Sequence, residues 1–162
     1  MQPHIQPPPA GRVGVISDTH GLLRPEALEA LGGVRHILHA GDIGDLDHLD
    51  ALARIAPVTG IRGNIDRGHW AEVLPDTVSL TVGSLRIHMI HDRKALQADA
   101  QAEGWDVVIS GHSHRPSIEE TDSILWLNPG AAGPRRFRLP ITLAFLWEEA
   151  GRPRAMIHPL PV

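Results

Sequence analysis

Five short motifs rich in metal-binding side chains follow one another along the chain, each at the end of a predicted strand. In chain order they are Asp18-Thr19-His20, Gly41-Asp42, Gly63-Asn64, His91 and Gly111-His112-Ser113-His114. Carboxylate, imidazole and amide oxygen are ligands that borderline divalent cations accept in proteins. A single fragment of this kind arises easily by chance. Five in order, each between an apolar run and a loop, predict a metal site that the fold assembles.

The first half of the chain predicts alternating strands and helices that would position the first three motifs. Apolar, β-branched runs predict strands, whereas leucine spacing and Pro25 predict helices. The strands are 12–17, 36–40 and 57–62, and the helices are 26–31 and 45–53. This order favours parallel pairing of the strands through right-handed crossovers. Because functional loops follow the carboxyl ends of parallel strands, we expect these motifs to lie together.

The second half of the chain predicts more strands than helices. Turn residues at Gly83-Ser84, Asp122-Ser123 and Gly151 indicate hairpins. The strands are 77–82, 85–90, 105–110, 117–120, 124–127, 140–147 and 154–157, and one helix is predicted over 94–103. We therefore expect an α/β fold of the mixed α+β type. It would be a four-layer αββα sandwich, with two mixed β-sheets flanked by helices.

Composition and charge limit the classes of function that the chain can have. It has 162 residues, a net charge of −4, and no cysteine or tyrosine. A thiolate or tyrosyl nucleophile is therefore excluded. Non-specific electrostatic binding of nucleic acid is not expected, because the chain lacks excess basic charge. No apolar run approaches the ~20 residues that span a bilayer, so no membrane contact is expected. We predict a cytoplasmic protein with a disordered proline-rich lead-in over 1–11 and one domain over 12–162.

The complete motif set resembles the calcineurin-like metallophosphoesterases. Within them it is similar to the small single-domain phosphodiesterases, a branch that also includes the retromer vacuolar-sorting subunit. The resemblance runs from Arg12 to the last predicted strand. Beyond the five motifs it rests on His39-Ala40-Gly41-Asp42-Ile43, Asp106-Val107-Val108-Ile109, Arg115-Pro116 and Leu127-Asn128-Pro129-Gly130. It implies a metallophosphoesterase fold and a metal-dependent phosphoesterase activity.

The resemblance also implies two divalent metal ions, with manganese as the first choice and iron, zinc, nickel or cobalt as alternatives. One ion would take Asp18, His20, Asp42 and His114, and the other would take Asp42, Asn64, His91 and His112. A shared carboxylate would hold the ions about 3.5–4 Å apart, the spacing of two-metal hydrolytic sites. Because only two carboxylates face two divalent ions, the site would stay positive and attract an anionic phosphate.

The expected activity is hydrolysis of a small phosphodiester by in-line attack of a metal-bridging hydroxide. Asp42, Asn64 and His91 would be the catalytic residues. A phosphomonoesterase on the same metal centre and a non-catalytic protein-binding scaffold are the alternatives. All seven ligand positions carry competent residues, which favours an enzyme over a scaffold. Self-association as a homo-oligomer is left open by the sequence.

Two positions depart from the wider family. Ile65 stands where many relatives carry a histidine that protonates the leaving group, so substrates with good leaving groups are expected. Asp92-Arg93 stands where many relatives have Gly-His, which adds a carboxylate near the site. His39 and Asp66 lie next to the ligand motifs. Each either orients a ligand or serves the fold, His39 as a core histidine and Asp66 as a loop hydrogen-bonder.

Overall fold

The computed structural model describes residues 11–162, so the predicted lead-in lies, except for Gly11, outside the described residues. The described strands and α-helices are β1 (Val13–Ile16), α1 (Pro25–Ala30), β2 (His36–His39), α2 (Leu46–Ala53), β3 (Val58–Gly60), β4 (Thr77–Val82), β5 (Leu85–Ile90), α3 (Ala100–Glu103), β6 (Val107–Ile109), β7 (Ser117–Thr121), β8 (Ile124–Asn128), β9 (Thr142–Glu149) and β10 (Arg152–Pro159). Short 3₁₀ turns lie at His69–Val73 and Arg93–Ala95. None of the described helices is long enough to cross a membrane.

The strands form two five-stranded sheets, and both sheets are mixed. The first has the order β10-β9-β1-β2-β3, in which β1, β2 and β3 are parallel, β9 is antiparallel to β1, and β10 is antiparallel to β9. The second has the order β4-β5-β6-β8-β7, in which β5, β6 and β8 are parallel and both edge strands are antiparallel. Each sheet therefore gathers the carboxyl ends of three parallel strands at one edge.

Apolar side chains pack between the sheets and on their outer faces. The cluster between the sheets takes residues from both, including Val15, Leu38, Ile87 and Leu127. A second cluster, which includes Ile16, joins the outer face of the first sheet to α1 and α2. Successive side chains of a strand point to opposite faces, which is why neighbouring residues of β1 join different clusters. Two mixed sheets with helices outside them confirm the predicted fold class.

The helix predicted over 94–103 is wrong as a continuous element. Asp92 begins a 3₁₀ turn by accepting a hydrogen bond from the Lys94 amide, and the chain is extended again at Leu96. Asp99 then caps the four-residue α3 by accepting from the Gln101 amide. Because each aspartate satisfies the amides of a new turn, two short turns replace one helix. Leu96 and Ala100 still pack against the outer face of the second sheet, in a cluster with Val108 and Ile124.

Candidate metal centre

The seven predicted ligands all stand at carboxyl ends of the parallel strands. In the first sheet, Asp18 and His20 follow β1, Asp42 follows β2 and Asn64 follows β3; in the second, His91 follows β5, and His112 and His114 follow β6. Backbone hydrogen bonds join these loops: the His20 amide donates to the Asp42 carbonyl at 2.8 Å, and the Gly111 amide to the His91 carbonyl at 2.9 Å. A third bond, from the His112 amide to Asp18 Oδ2 at 3.0 Å, joins the loops of the two sheets.

Five of the seven residues have a left-handed backbone. Their φ angles are 54° at Asp18, 46° at His20, 56° at Asp42, 69° at His112 and 63° at His114. Residues other than glycine adopt this region rarely, at a cost of order 1–3 kcal/mol each. Such strain clusters where side chains must be aimed for function, and here it falls on the residues that the sequence singles out.

Two carboxylate oxygens lie among three imidazole nitrogens. Asp18 Oδ1 is 3.6 Å from His20 Nε2, 3.4 Å from His114 Nε2 and 3.9 Å from His91 Nε2. Asp42 Oδ2 is 3.3 Å from His20 Nε2 and 3.2 Å from His91 Nε2. Two overlapping groups, Asp18-His20-His114 and Asp18-Asp42-His91, therefore present ligand atoms within 4.8 Å of one another. Either group has the size of a metal-ion site.

Each aspartate uses its two oxygens differently. Asp18 Oδ2 accepts from the Ser17 hydroxyl at 2.7 Å and from the His112 amide at 3.0 Å. Asp42 Oδ1 accepts from the Ile65 amide at 3.1 Å. The opposite oxygens, Asp18 Oδ1 and Asp42 Oδ2, face the imidazoles. Protein donors thus fix one oxygen of each carboxylate, and the other oxygen points into the cluster.

Several of the converging atoms lack a hydrogen-bond partner. Within the described part of the chain, Asp18 Oδ1, His20 Nε2, His91 Nε2 and His114 Nδ1 are buried and unpaired. A buried polar atom without a partner costs about 1–3 kcal/mol. Of these four atoms, the first three face one another across the cluster. Their chemistry is that of lone-pair donors around a cation, so the residues present fit a divalent metal ion.

The charges in the cluster favour a cation as well. Burial alone would raise the pKa of the Asp18 carboxyl, but the nearby His114 and His20 rings and the Ser17 hydroxyl hold that pKa well below its usual range. Burial would likewise raise the pKa of Asp42, yet the His91 ring and the Ile65 amide keep it low. Both carboxylates are therefore negatively charged in the folded protein.

His91 is oriented by a backbone carbonyl. Its Nδ1 donates to the Ala40 carbonyl at 2.7 Å, which leaves Nε2 to face the two carboxylates. Burial would lower the pKa of His91, but the Asp42 carboxylate, the Ala40 carbonyl and the charge of Asp18 raise it to about 9. A ring nitrogen fixed in this way on a carbonyl is the usual arrangement of a metal-ligating histidine.

His112 and Asn64 lie at the exposed side of the cluster. The His112 ring centroid is 5.3 Å from that of His91, and its Nε2 is 3.8 Å from Asp92 Oδ2. The carboxylate that departs from the family pattern therefore faces a predicted ligand. Asn64 is solvent-exposed and follows β3 at the same edge of the first sheet.

His39 serves the loops through a hydrogen-bond chain. Its Nδ1 accepts from the Gly41 amide at 3.1 Å, so Nε2 carries the proton and donates to Thr19 Oγ1 at 3.1 Å. The Thr19 hydroxyl in turn donates to the Ile43 carbonyl at 2.9 Å. Complete burial lowers the pKa of His39 to about 4, which keeps the ring neutral. His39 thus fastens the loop after β1 to the loop after β2.

Asp66 fastens the loops after β2 and β3. Its carboxylate accepts from the amides of Ile43 at 3.0 Å, Gly44 at 2.9 Å and Gly63 at 2.8 Å. All three donors are backbone groups, which is the loop hydrogen-bonding alternative that the sequence left open. Asp66 therefore holds Asp42 and Asn64 in place through the chain rather than through their side chains.

Asn128 is a functional neighbour that sequence reasoning did not assign. Its Nδ2 donates to the Gly111 carbonyl at 2.9 Å and to Ser113 Oγ at 3.1 Å, while its Oδ1 accepts from the Gly130 amide at 2.9 Å. One buried amide thereby shapes the loop that carries His114. The available signal was its place at the end of β8, the parallel neighbour of β6.

Gly111 permits the close approach of that loop to Asp18. A Cβ at position 111 would collide with the Ser17 hydroxyl and would lie 2.6 Å from Asp18 Oδ2. The glycine therefore lets the His112 amide reach the carboxylate.

Comparison with known proteins identifies the class to which this site belongs. Residues 12–151 match the family model of the calcineurin-like phosphoesterase superfamily domain. A probable metallophosphoesterase from Methanothermobacter thermautotrophicus is 40% identical over 131 residues, which span 74% of this chain and 76% of that protein. The chain belongs to the calcineurin-like phosphoesterase superfamily.

Solved structures share the complete fold. A protein described as a novel archaeal phosphodiesterase has a TM-score of 0.75 at 25% identity, over 90% of this chain and 99% of its own. Vps29 from Chaetomium thermophilum has a TM-score of 0.74 at 22% identity, over 94% of this chain and 100% of its own. The predicted resemblance, including its phosphodiesterase and vacuolar-sorting branch, is confirmed.

Proposed function

We propose that this protein is a phosphodiesterase that depends on two divalent metal ions. The proposal rests most on one observation: two ionised carboxylates and three imidazoles from both sheets converge with unpaired atoms at their centre. Because the chain belongs to the phosphoesterase superfamily, phosphoester hydrolysis is the reaction that we assign to this cluster. Manganese is the first choice of metal, and iron, zinc, nickel and cobalt suit the same nitrogen and oxygen ligands.

Asp42 is the shared ligand in this proposal. Its Oδ2 lies 3.3 Å from His20 Nε2 and 3.2 Å from His91 Nε2, two rings assigned to different ions. Asp18 and His114 would complete the first set. When bound, the two ions would lower the pKa of a shared water, supply the hydroxide that attacks phosphorus in line, and neutralise the phosphoryl oxygens.

Asn64 and His112 complete the second set in the proposal. Both are solvent-exposed, and exposed side chains change rotamer within nanoseconds. We propose that they turn toward the second ion when it binds. His112 would then leave Asp92, whose Oδ2 is 3.8 Å from its Nε2.

Residue 65 cannot protonate the leaving group. Ile65 is 44% exposed and has no proton to give. A substrate must therefore expel an alcohol that is stable as an anion, such as a phenol. This favours aryl esters and other activated esters over simple alkyl esters.

A diester is preferred over a monoester because of the similarity to the archaeal phosphodiesterase. The fold alone also suits a protein-binding scaffold, as in Vps29, but a scaffold has no need of aimed and strained ligand residues. We further propose small substrates, because the net charge of −4 offers no general attraction to nucleic acid. A cytoplasmic location is part of the same proposal.

The decisive experiment combines metal analysis with a phosphoester panel. Purified protein is analysed for bound metals, then assayed with Mn²⁺ or Ni²⁺ on bis-p-nitrophenyl phosphate and p-nitrophenyl phosphate. We expect about two metal equivalents and faster turnover of the diester. A clear preference for the monoester would instead establish the phosphomonoesterase.

Asp42→Ala provides the matched test of the bridging assignment. Removing the shared carboxylate should abolish both metal loading and turnover. His158→Gln, in β10 on the side of Phe145, should change neither. Turnover by Asp42→Ala with its metals intact would contradict the assignment, and a metal-free, inactive wild type would support the scaffold.

A further inference from the structure

A cleft adjoins the metal centre on the outer side of the second sheet. Its volume is about 380 Å³. It is lined by Gly111 and His112, by the turn that begins at Asp92 and by Trp126 of β8. His112 therefore belongs to both the metal centre and the cleft. A molecule with its phosphate at the metals can extend directly into this space.

The turn that begins at Asp92 borders the cleft. The predicted helix over 94–103 is interrupted here, because the chain is extended at Leu96 and α3 begins only at Ala100. Trp126 is half-buried and lines the cleft together with His112.

The walls suit a flat and largely uncharged group. The guanidinium carbon of Arg93 lies 4.3 Å from the centroid of the Trp126 ring, and both residues line the cleft. Planar indole and guanidinium surfaces stack with aromatic and heterocyclic rings. The cleft also lies within the range of about 300–1,000 Å³ that small-molecule pockets occupy.

The charges around the cleft are balanced. Arg93 pairs with Glu119 at 3.4 Å, and Asp92 stands beside Lys94 on the same rim. Two basic and two acidic side chains leave no net attraction for a second phosphate group. The balance favours a neutral ring over another anion as the occupant.

We propose that this cleft binds a planar aromatic or heterocyclic substituent of the phosphoester, with Trp126 and Arg93 as its specificity-determining residues. The proposal rests on the function proposed above, since the phosphate must lie at the metal centre. It narrows the substrate class to phosphate esters of aryl or nucleoside-like groups. Compact aliphatic phosphodiesters should be poorer substrates.

The test compares a ligand that fills only the metal centre with one that also reaches the cleft. Inorganic phosphate and adenosine 5′-monophosphate are titrated calorimetrically into the Mn²⁺-loaded full chain. The wild type should bind the nucleotide more tightly than phosphate. Trp126→Leu should weaken nucleotide binding about tenfold, the size of one base–aromatic stack, and leave phosphate binding unchanged. Arg93→Gln changes an exposed side chain and should leave the fold intact. It should also weaken nucleotide binding without weakening phosphate binding.

Matched controls separate the cleft from general effects. Trp147→Leu replaces a half-buried tryptophan of β9 that packs on the helix side of the first sheet, and Arg54→Gln replaces an exposed arginine after α2. Neither should alter the preference for the nucleotide. Equal binding of the two ligands by the wild type, or an unchanged preference in both cleft variants, overturns the inference. Absence of phosphoester turnover with normal nucleotide preference would overturn the proposed function instead.

Discussion

At the residue scale, the two oxygens of each aspartate in the cluster have different roles. Asp18 and Asp42 each give one oxygen to protein donors and the other to the imidazole cluster. The held oxygen fixes the rotamer, and the free oxygen keeps its full capacity to ligate a cation. Groups that hold ligands in this way are nearly as important for metal affinity as the ligands.

Ser17 offers a test of that principle without touching a ligand. Its hydroxyl donates to Asp18 Oδ2 at 2.7 Å. Ser17→Ala should weaken Mn²⁺ affinity about 10- to 100-fold, measured by chelator competition. Ser79→Ala removes a hydroxyl that contacts His88 on the second sheet, at 2.7 Å, and should leave affinity unchanged. Equal affinities of Ser17→Ala and wild type would refute the positioning role.

The protonation of His91 predicts a pH dependence of metal binding. With its pKa raised to about 9, the ring is protonated at neutral pH in the metal-free protein. A metal ion must displace that proton to reach Nε2, so affinity should rise with pH and level off above about 9. Calorimetry in buffers of different ionisation enthalpy should detect proton release on binding at neutral pH. An affinity that stays flat from about pH 6 to 9 would contradict the prediction.

At the scale of elements, the loops after β1, β2 and β3 are fastened to one another by buried side chains. Asp66 accepts three backbone amides, and His39 with Thr19 completes a second link. These links stabilise the fold because each buried amide would lose free energy if it had no acceptor. They hold the three loops of the first sheet as one unit.

Replacement of Asp66 tests how much that fastening contributes. Asp66→Asn places an amide NH₂ where one carboxylate oxygen accepted, so at least one buried donor loses its partner. We expect a loss of about 2–3 kcal/mol in the free energy of unfolding, measured by denaturant titration. Asp76→Asn makes the same change in charge at an exposed carboxylate, paired with Arg62 at 3.0 Å, and should stay within about 0.5 kcal/mol. Equal stabilities of the two variants would show that Asp66 is dispensable.

The sequence predicted the strands well because they leave a local signal, and it also singled out the side chains of the cluster. Apolar runs mark β1, β2, β5 and β6, and the polar residues after them mark the site. The helix over 94–103 failed because Asp99, a polar residue in an otherwise helical pattern, begins a new turn by capping it. The role of Asn128 was hidden for another reason: its partners at Gly111 and Ser113 are distant in sequence.

At the scale of the whole molecule, the candidate metal centre lies where loops of the two sheets meet, in addition to their shared apolar core and the hydrogen bond from the Ser84 amide to Glu148 at 3.1 Å. Asp18, His20 and Asp42 come from loops of the first sheet, whereas His91 and His114 come from the second. A bound ion would therefore connect both halves of the sandwich. Only the assembled fold brings these groups within reach of one cation.

Metal binding should consequently stabilise the entire domain. A ligand that binds only the native state at 100 times its dissociation constant adds about 2.7 kcal/mol. For a chain of this size, that corresponds to a rise of about 5–10 °C in melting temperature, measurable by calorimetry with Mn²⁺ and with EDTA. Asp42→Ala should show no such rise. Identical melting curves of the wild type in Mn²⁺ and EDTA would argue against a centre that joins the sheets.

The left-handed backbone at His112 implies a conflict between activity and robustness. Glycine relaxes at such angles, so His112→Gly removes a candidate ligand while relieving a strained peptide. In the absence of metal, the His112→Gly variant should therefore have a higher melting temperature than the wild type. An unfavourable backbone conformation at five candidate ligand positions therefore trades some stability of the metal-free protein for the placement of those side chains.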